Sequence, residues 1–248
     1  MGGGGPLVQR RLLSVLWLVW ALWCCLLSIH SFDAAVSQAM RTLPGWFHDL
    51  FAAVTVAGLG KWYIWPAGLA ALGLGGFSRT VADPERALWY RRLAWAFGFV
   101  ALAVLLSGLA SDLIKVAVGR ARPKLLEQAA YYGFSPIGFR SDYQSFPSGH
   151  ATTGAALGLA VAFLVPRLRA LGLAFALTIA ASRIVINAHF LGDVMGGAAI
   201  GCFTAWWLRD WYAAHGVLFV HEADGSVRRI GLSPPPPPSP PPDGDPGR

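Results

Sequence analysis

The chain has 248 residues, 55% hydrophobic and only 13% charged, with a mean hydropathy of +0.49. Soluble domains carry about 25% charged residues, so the composition excludes an ordinary soluble enzyme and describes a one-domain integral membrane protein. A net charge of +7 does not indicate nucleic acid, because the positive residues fall between apolar runs and form no single basic face.

Residues 1–11 are glycine-rich and end in Arg10 and Arg11, ahead of an apolar run over 12–29. That run exceeds the about 7–15 apolar residues of a secretory signal and is rich in bulky Trp and Leu, so it is expected to be a retained first span. Residues 30–57 mix Asp33, Arg41, His48 and Asp49 with Trp46, Phe47, Leu50 and Phe51, the pattern of a short interfacial helix. A second span is expected over 58–77, anchored by Lys61, Trp62, Tyr63 and Trp65, with glycines that permit close helix packing. A polar connector over 78–92 precedes a third span over 93–116. The polar stretch 117–149 is too long for a bare connection. Spans four, five and six are expected over 150–165, 170–186 and 190–208, with a tight turn at Pro166-Arg167-Leu168-Arg169. Cys24, Cys25 and Cys202 lie inside apolar runs without metal-ligand or disulfide spacing and read as packing residues. From Ser233 the chain is proline-rich and is expected to be a disordered, polyproline-like extension.

The expected fold is therefore all-α: a polytopic membrane protein of six transmembrane helices plus a short interfacial helix. Residues 1–11 form an N-terminal segment, 12–212 the six-span domain and 213–248 a tail that is Pro-rich and disordered from about 233. Arg10, Arg11, the arginines of 78–92, Arg167, Arg169 and Arg209 share one side of a six-span layout. The positive-inside rule makes that side cytoplasmic, with both termini on it. The expected location is a bacterial-type inner membrane. Lys115, Arg120, Arg122, Lys124 and Arg140 then lie on the outer side, against the rule, which suggests an anion to hold.

Three separated pieces carry chemistry on that outer face: Lys115-x6-Arg122-Pro123, Pro147-Ser148-Gly149-His150, and Ser182-Arg183-x5-His189-x3-Asp193. They gather three cations, two histidines, a hydroxyl and a helix N-terminus, whose free N–H groups suit a phosphate. Four residues separate His189 from Asp193, so the pair shares one face of a helix, and a carboxylate on one ring nitrogen leaves the other free as base or nucleophile. Asp112, three residues before Lys115, reads as the partner that neutralises or aims it. Tyr131 and Tyr132 read as loop packing.

These pieces match at every specified position the signature of the type 2 phosphatidic acid phosphatase (PAP2) superfamily, which the chain resembles over spans three to six. The resemblance implies that His189 attacks phosphorus, oriented by Asp193. It implies that His150 protonates the leaving oxygen and later activates water. Lys115, Arg122 and Arg183 resemble the phosphate clamp, with Ser148 and the Gly149 N–H as further donors. No cofactor and no metal is expected, since a histidine nucleophile forms a phosphoenzyme unaided. The expected partners are the bilayer and a phosphorylated membrane lipid. The expected activity is hydrolysis of a lipid phosphate monoester or pyrophosphate at the outer leaflet: phosphatidylglycerol phosphate, phosphatidic acid, undecaprenyl pyrophosphate or the 1-phosphate of lipid A. A lipid phosphotransferase using the same site, or a non-catalytic anion or lipid transporter, is the alternative reading.

Overall fold

A computed structural model describes residues 6–137, 139–222 and 226–235, and these described residues are 75% helical. In chain order the helices are α1 (Pro6–Ser31), α2 (Asp33–Arg41), α3 (Gly45–Thr55), α4 (Lys61–Phe77), α5 (Pro84–Val118), α6 (Pro123–Ala129), α7 (Gly149–Leu164), α8 (Arg169–Val185) and α9 (Leu191–Ala214). Among the described residues, three helical stretches are long and apolar enough to cross a membrane: Leu12–Ser31, Pro84–Val118 and Pro166–Val185. At 17 and 16 residues, α4 and α7 are shorter.

The third expected span begins nine residues earlier than its apolar run, because Asp83 accepts a hydrogen bond from Glu85 N at 3.0 Å and Pro84 opens the helix. The resulting 35 residues make a rod of about 50 Å, longer than the roughly 30 Å hydrocarbon layer. The 78–92 connector is thus largely the water-side end of α5. The single interfacial helix expected over 30–57 is two helices, α2 and α3, followed by a short 3-10 turn at Val56–Gly58.

Helix α7 is the axis of the bundle. Its alanines Ala151, Ala155, Ala156 and Ala160 and its threonines Thr152 and Thr153 are all buried, with α5, α8 and α9 packed around it. Small residues suit this role, because within lipid helices associate by close backbone approach and not by escape from water. At Gly197 of α9 a side chain would run into the Ser148 carbonyl at the start of α7, so glycine sets that crossing. The outward faces are the reverse: Trp20 and Trp23 of α1 stay 62% and 60% exposed, as a lipid-facing surface requires.

The largest apolar cluster joins Phe99 of α5, Leu164 of α7 and Leu208 and Tyr212 of α9. It lies at the end of the bundle where α5 begins and α7 and α9 finish. A two-stranded antiparallel hairpin, β1 (Phe219–His221) and β2 (Val227–Arg229), covers it with Leu218 and Phe219. This hairpin adds two three-residue strands to a mostly helical fold, ahead of the stretch expected to be disordered from about 233. Trp89 Nε1 then donates to Leu232 O at 3.0 Å, tying the following segment to α5. Most of the proline-rich extension, residues 236–248, lies outside the described residues.

Candidate active site

At the opposite end, α5, α7, α8 and α9 bring all three sequence pieces together. Gly119 stops α5 in the left-handed conformation (φ 60°), its N–H bonded to Lys115 O at 3.0 Å. The chain then turns inward, so that Arg120 is buried while Arg122 stays partly open. Arg122 Nε donates to Ser141 O at 2.9 Å, and its two terminal nitrogens lie 3.4 Å from Gln144 O and Ala188 O. The guanidinium thereby links the 141–144 loop to the turn that carries His189. Lys115 Nζ sits 2.9 Å from Asp112 Oδ1, the pairing expected from their spacing.

The start of α7 faces these cations. Ser148 N donates to Asp193 O at 2.9 Å, which fixes α7 against α9. The first N–H groups of α7 have no helical acceptor, as at any helix start. Ser148 Oγ is fully buried without a partner among the described residues. A Cβ on Gly149 would stand 3.0 Å from Lys115 Nζ, so glycine leaves the ammonium beside the exposed backbone. His150 packs on Gly58, where a Cβ would come within 2.8 Å of the imidazole Cδ2. It also lines a cavity of about 320 Å³ between α4 and α5, whose other walls include Leu59, Ile64, Val104 and Leu109.

Between α8 and α9, Ala188 N and His189 N both donate to Arg183 O, at 3.1 and 3.3 Å. Asn187 supplies the left-handed residue of this turn (φ 52°) and accepts from Ser37 Oγ at 2.8 Å. Arg183 NH1 donates to Thr55 Oγ1 at 2.7 Å, while its buried Nε has no partner among the described residues. His189 is buried, with Nδ1 2.8 Å from Ser145 O. Asp193 Oδ2 is 3.7 Å from the same nitrogen, outside hydrogen-bond range. The direct His189–Asp193 contact expected from the sequence is therefore replaced by a relay. Asp193 Oδ2 takes the Ser145 hydroxyl at 2.5 Å and Phe190 N at 2.9 Å, and the Ser145 carbonyl takes the ring.

Sequence reasoning left Arg120 and Asp33 without a role. Arg120 NH1 donates to Asp193 Oδ1 at 2.6 Å, and NH2 to Asp33 Oδ2 at 2.7 Å and Tyr132 Oη at 2.7 Å. Asp33 also accepts from Ser28 Oγ at 2.7 Å and Gly192 N at 2.9 Å. Tyr132 donates to Ile29 O at 2.6 Å, so it belongs to this network and is more than loop packing. The one available signal was a pair of charged residues bordered by apolar sequence, each of which needs a partner.

Burial works against the Arg120 charge, but the Asp193 and Asp33 carboxylates outweigh it and hold the guanidinium above its usual value. Burial pushes His189 below the ordinary histidine value; Asp193 opposes this, and Arg122 and Arg183 press it down further. A neutral imidazole with Nδ1–H on a carbonyl carries its lone pair on Nε2. The arrangement is a ring nitrogen with its lone pair free, within electrostatic range of Arg122 and Arg183 and close to a helix start and a second histidine. Such a set can bind a phosphoryl group and receive the charge that develops on it.

Fold and site together define a helical membrane protein with cationic side chains gathered at one end. Residues 96–216 match the family model described as the PAP2 superfamily. Two relatives, each named lipid A 1-phosphatase, are similar over most of their length. One, from Rhizobium johnstonii, is 32% identical over 81% of this chain and 81% of its own. The other, from Rhizobium etli, is 33% identical over 80% of this chain and 85% of its own. The chain belongs to the PAP2 superfamily. Its fold is similar to the crystal structure of the first transmembrane PAP2 type phosphatidylglycerolphosphate phosphatase from Bacillus subtilis, with TM-score 0.52 and 20% identity, covering 80% of this chain and 94% of that one.

Proposed function

We propose that the chain is a membrane lipid phosphatase working through a phosphohistidine, with the 1-phosphate of a lipid A-type glycolipid as its first candidate substrate. The observation that carries the reaction is His189 itself. Its Nδ1 is committed to a backbone carbonyl, and Arg122 and Arg183 lie close enough to act on its charge. Nε2 attacks phosphorus, forming an N–P bond while the P–O bond to the lipid breaks. His150 gives its proton to the departing oxygen. In the second step His150 takes a proton from water, the water oxygen bonds to phosphorus, and the N–P bond breaks to release inorganic phosphate. Lys115, Arg122, Arg183, Ser148 Oγ and the Gly149 N–H hold the phosphoryl oxygens throughout, and Asp193 holds Ser145 and thereby the ring.

His150 lines the largely apolar cavity between α4 and α5, and this supports entry of the lipid anchor from that side. The choice of lipid A 1-phosphate rests on the two rhizobial relatives. Six spans (α1, α4, α5, α7, α8 and α9), both termini in the cytoplasm and the site at the outer leaflet of the inner membrane complete the reading. The arginine asymmetry of the sequence supports that orientation.

The test is phosphate release by purified protein from lipid A carrying a 1-phosphate, against phosphatidylglycerol phosphate, phosphatidic acid and undecaprenyl pyrophosphate. Release from lipid A in preference to the others is expected. Equal release from all four overturns the substrate assignment. Transfer of the phosphate to an added lipid, without free phosphate, makes the chain a phosphotransferase. Binding without release or transfer makes it a carrier.

A further inference from the structure

A hydroxyl on a membrane helix usually satisfies itself on the turn behind it. Ser78, Ser107 and Ser182 donate to the carbonyls of Gly75, Val104 and Ile179, and Thr152 donates to Ser148 O. Ser111 does not. Its side chain is fully buried and its Oγ has no partner among the described residues, although the same helix offers Ser107 one turn earlier a carbonyl at 3.2 Å. Leaving a buried hydroxyl unpaired lowers stability, so its orientation needs a reason.

The reason lies in what Ser111 faces. It is four residues before Lys115, on the same side of α5. A Cβ placed on Gly149 would stand 3.0 Å from Lys115 Nζ and 4.0 Å from Ser111 Oγ. Lys115, Ser111 and the first N–H groups of α7 therefore border one small space. Ser148 Oγ and Arg183 Nε, the other unpartnered buried groups of this end, belong to the phosphate site already described. Asp112 takes the other side of the lysine and is turned outward, its side chain 72% exposed, so it leaves the inner side of the ammonium open.

We propose that Ser111 is a further substrate-binding residue, its Oγ–H donating to the phosphoryl oxygen that Lys115 neutralises. The proposal rests on the phosphatase reading above and deepens it. Lys115 supplies charge without direction, and Ser111 adds a directed donor from the same helix, opposite Ser148. The oxygen it holds is equatorial in the transition state, so the bond strengthens as charge builds there.

The experiment compares Ser111→Ala and Ser111→Cys with Ser107→Ala, a buried hydroxyl of the same helix that has its own carbonyl. Three quantities are read for each: kcat/KM for the lipid phosphate, inhibition by orthovanadate, and the unfolding temperature in detergent without ligand. Loss of one such donor costs about 10²-fold in rate. Ser111→Ala is expected to lose about that in kcat/KM, to weaken vanadate inhibition in parallel, and to unfold no earlier than wild type. Ser111→Cys, a weaker donor of similar size, should fall between, and Ser107→Ala should leave kcat/KM and vanadate inhibition unchanged. Ser111→Ala within twofold of wild type in kcat/KM and inhibition overturns the proposal. So does an equal loss in Ser107→Ala, or a loss of activity that tracks a lower unfolding temperature, since either marks a packing effect. A wild-type protein that neither hydrolyses a lipid phosphate nor binds vanadate refutes the phosphatase reading itself, a result distinct from all of these.

Discussion

His189 turns Nδ1 toward the carbonyl of Ser145 at 2.8 Å, closer than the carboxylate of Asp193 at 3.7 Å. A carbonyl only accepts, so Nδ1 carries the proton and Nε2 is the free base. The division of work proposed for the two histidines can be separated by kinetics. With His189→Ala no phosphoryl transfer starts, whatever the leaving group. With His150→Ala a lipid alkoxide cannot leave, while a nitrophenolate leaves unaided. His150→Ala is expected to give a stoichiometric nitrophenol burst from p-nitrophenyl phosphate, with slow turnover afterwards, and His189→Ala no burst. A burst in His189→Ala would move the nucleophile elsewhere.

The same burst reports the pH dependence of His189. Burial sets the ring below its ordinary value of 6.5, and the nearby arginines add to that against the pull of Asp193. The reactive form is the neutral one, which is present above the pKa and lost as pH falls through it. The burst rate in His150→Ala should therefore hold steady through pH 6.5 and decline only below it. A decline centred at or above 6.5 would show that His189 does not sit in the charged, buried setting described.

Arg120 joins two buried carboxylates, at 2.6 Å to Asp193 and 2.7 Å to Asp33. Removing one member of such a set strands the others, at about 3–5 kcal/mol. Arg120→Met should lower the unfolding temperature in detergent far more than Arg140→Met, whose side chain is exposed. Asp33→Asn keeps the shape and one acceptor oxygen, so it should fold with a smaller loss of stability and a reduced kcat. Wild-type stability in Arg120→Met would refute the buried bridge.

Sidedness follows from the bundle's two ends. Ser135 lies exposed in the loop over the site, and Thr80 lies exposed between α4 and α5 at the other end. In a variant lacking Cys24, Cys25 and Cys202, Ser135→Cys should react with an impermeant maleimide in cells with a permeabilised outer membrane. Thr80→Cys should react only after the inner membrane is opened. The reverse pattern would put the site in the cytoplasm.

The residues proposed to do the chemistry were legible because their types are forced. A phosphate needs cations, a nucleophile needs a base, and these stand out in a chain only 13% charged. The groups that aim them were not. The carbonyl of Ser145 has no residue signature, since every residue owns one. Asp33 and Arg120 meet across 87 positions, and no periodicity announces such a pairing. Helix ends were displaced for a local reason, as at α5, where Asp83 and Pro84 begin the helix well ahead of its apolar stretch. The hairpin escaped because strands of three residues leave no alternating pattern.

The family match begins at residue 96, yet Asp33, which belongs to α2, helps hold the catalytic end in place by bonding Arg120 and the Gly192 amide. The two rhizobial relatives align over 203 and 202 residues, so the similarity reaches beyond the stretch that the family model covers. A chimaera that joins residues 96–216 to a foreign amino-terminal third inherits the motifs and loses a counter-charge, unless the incoming piece brings an acid to the place that Asp33 takes beside Arg120.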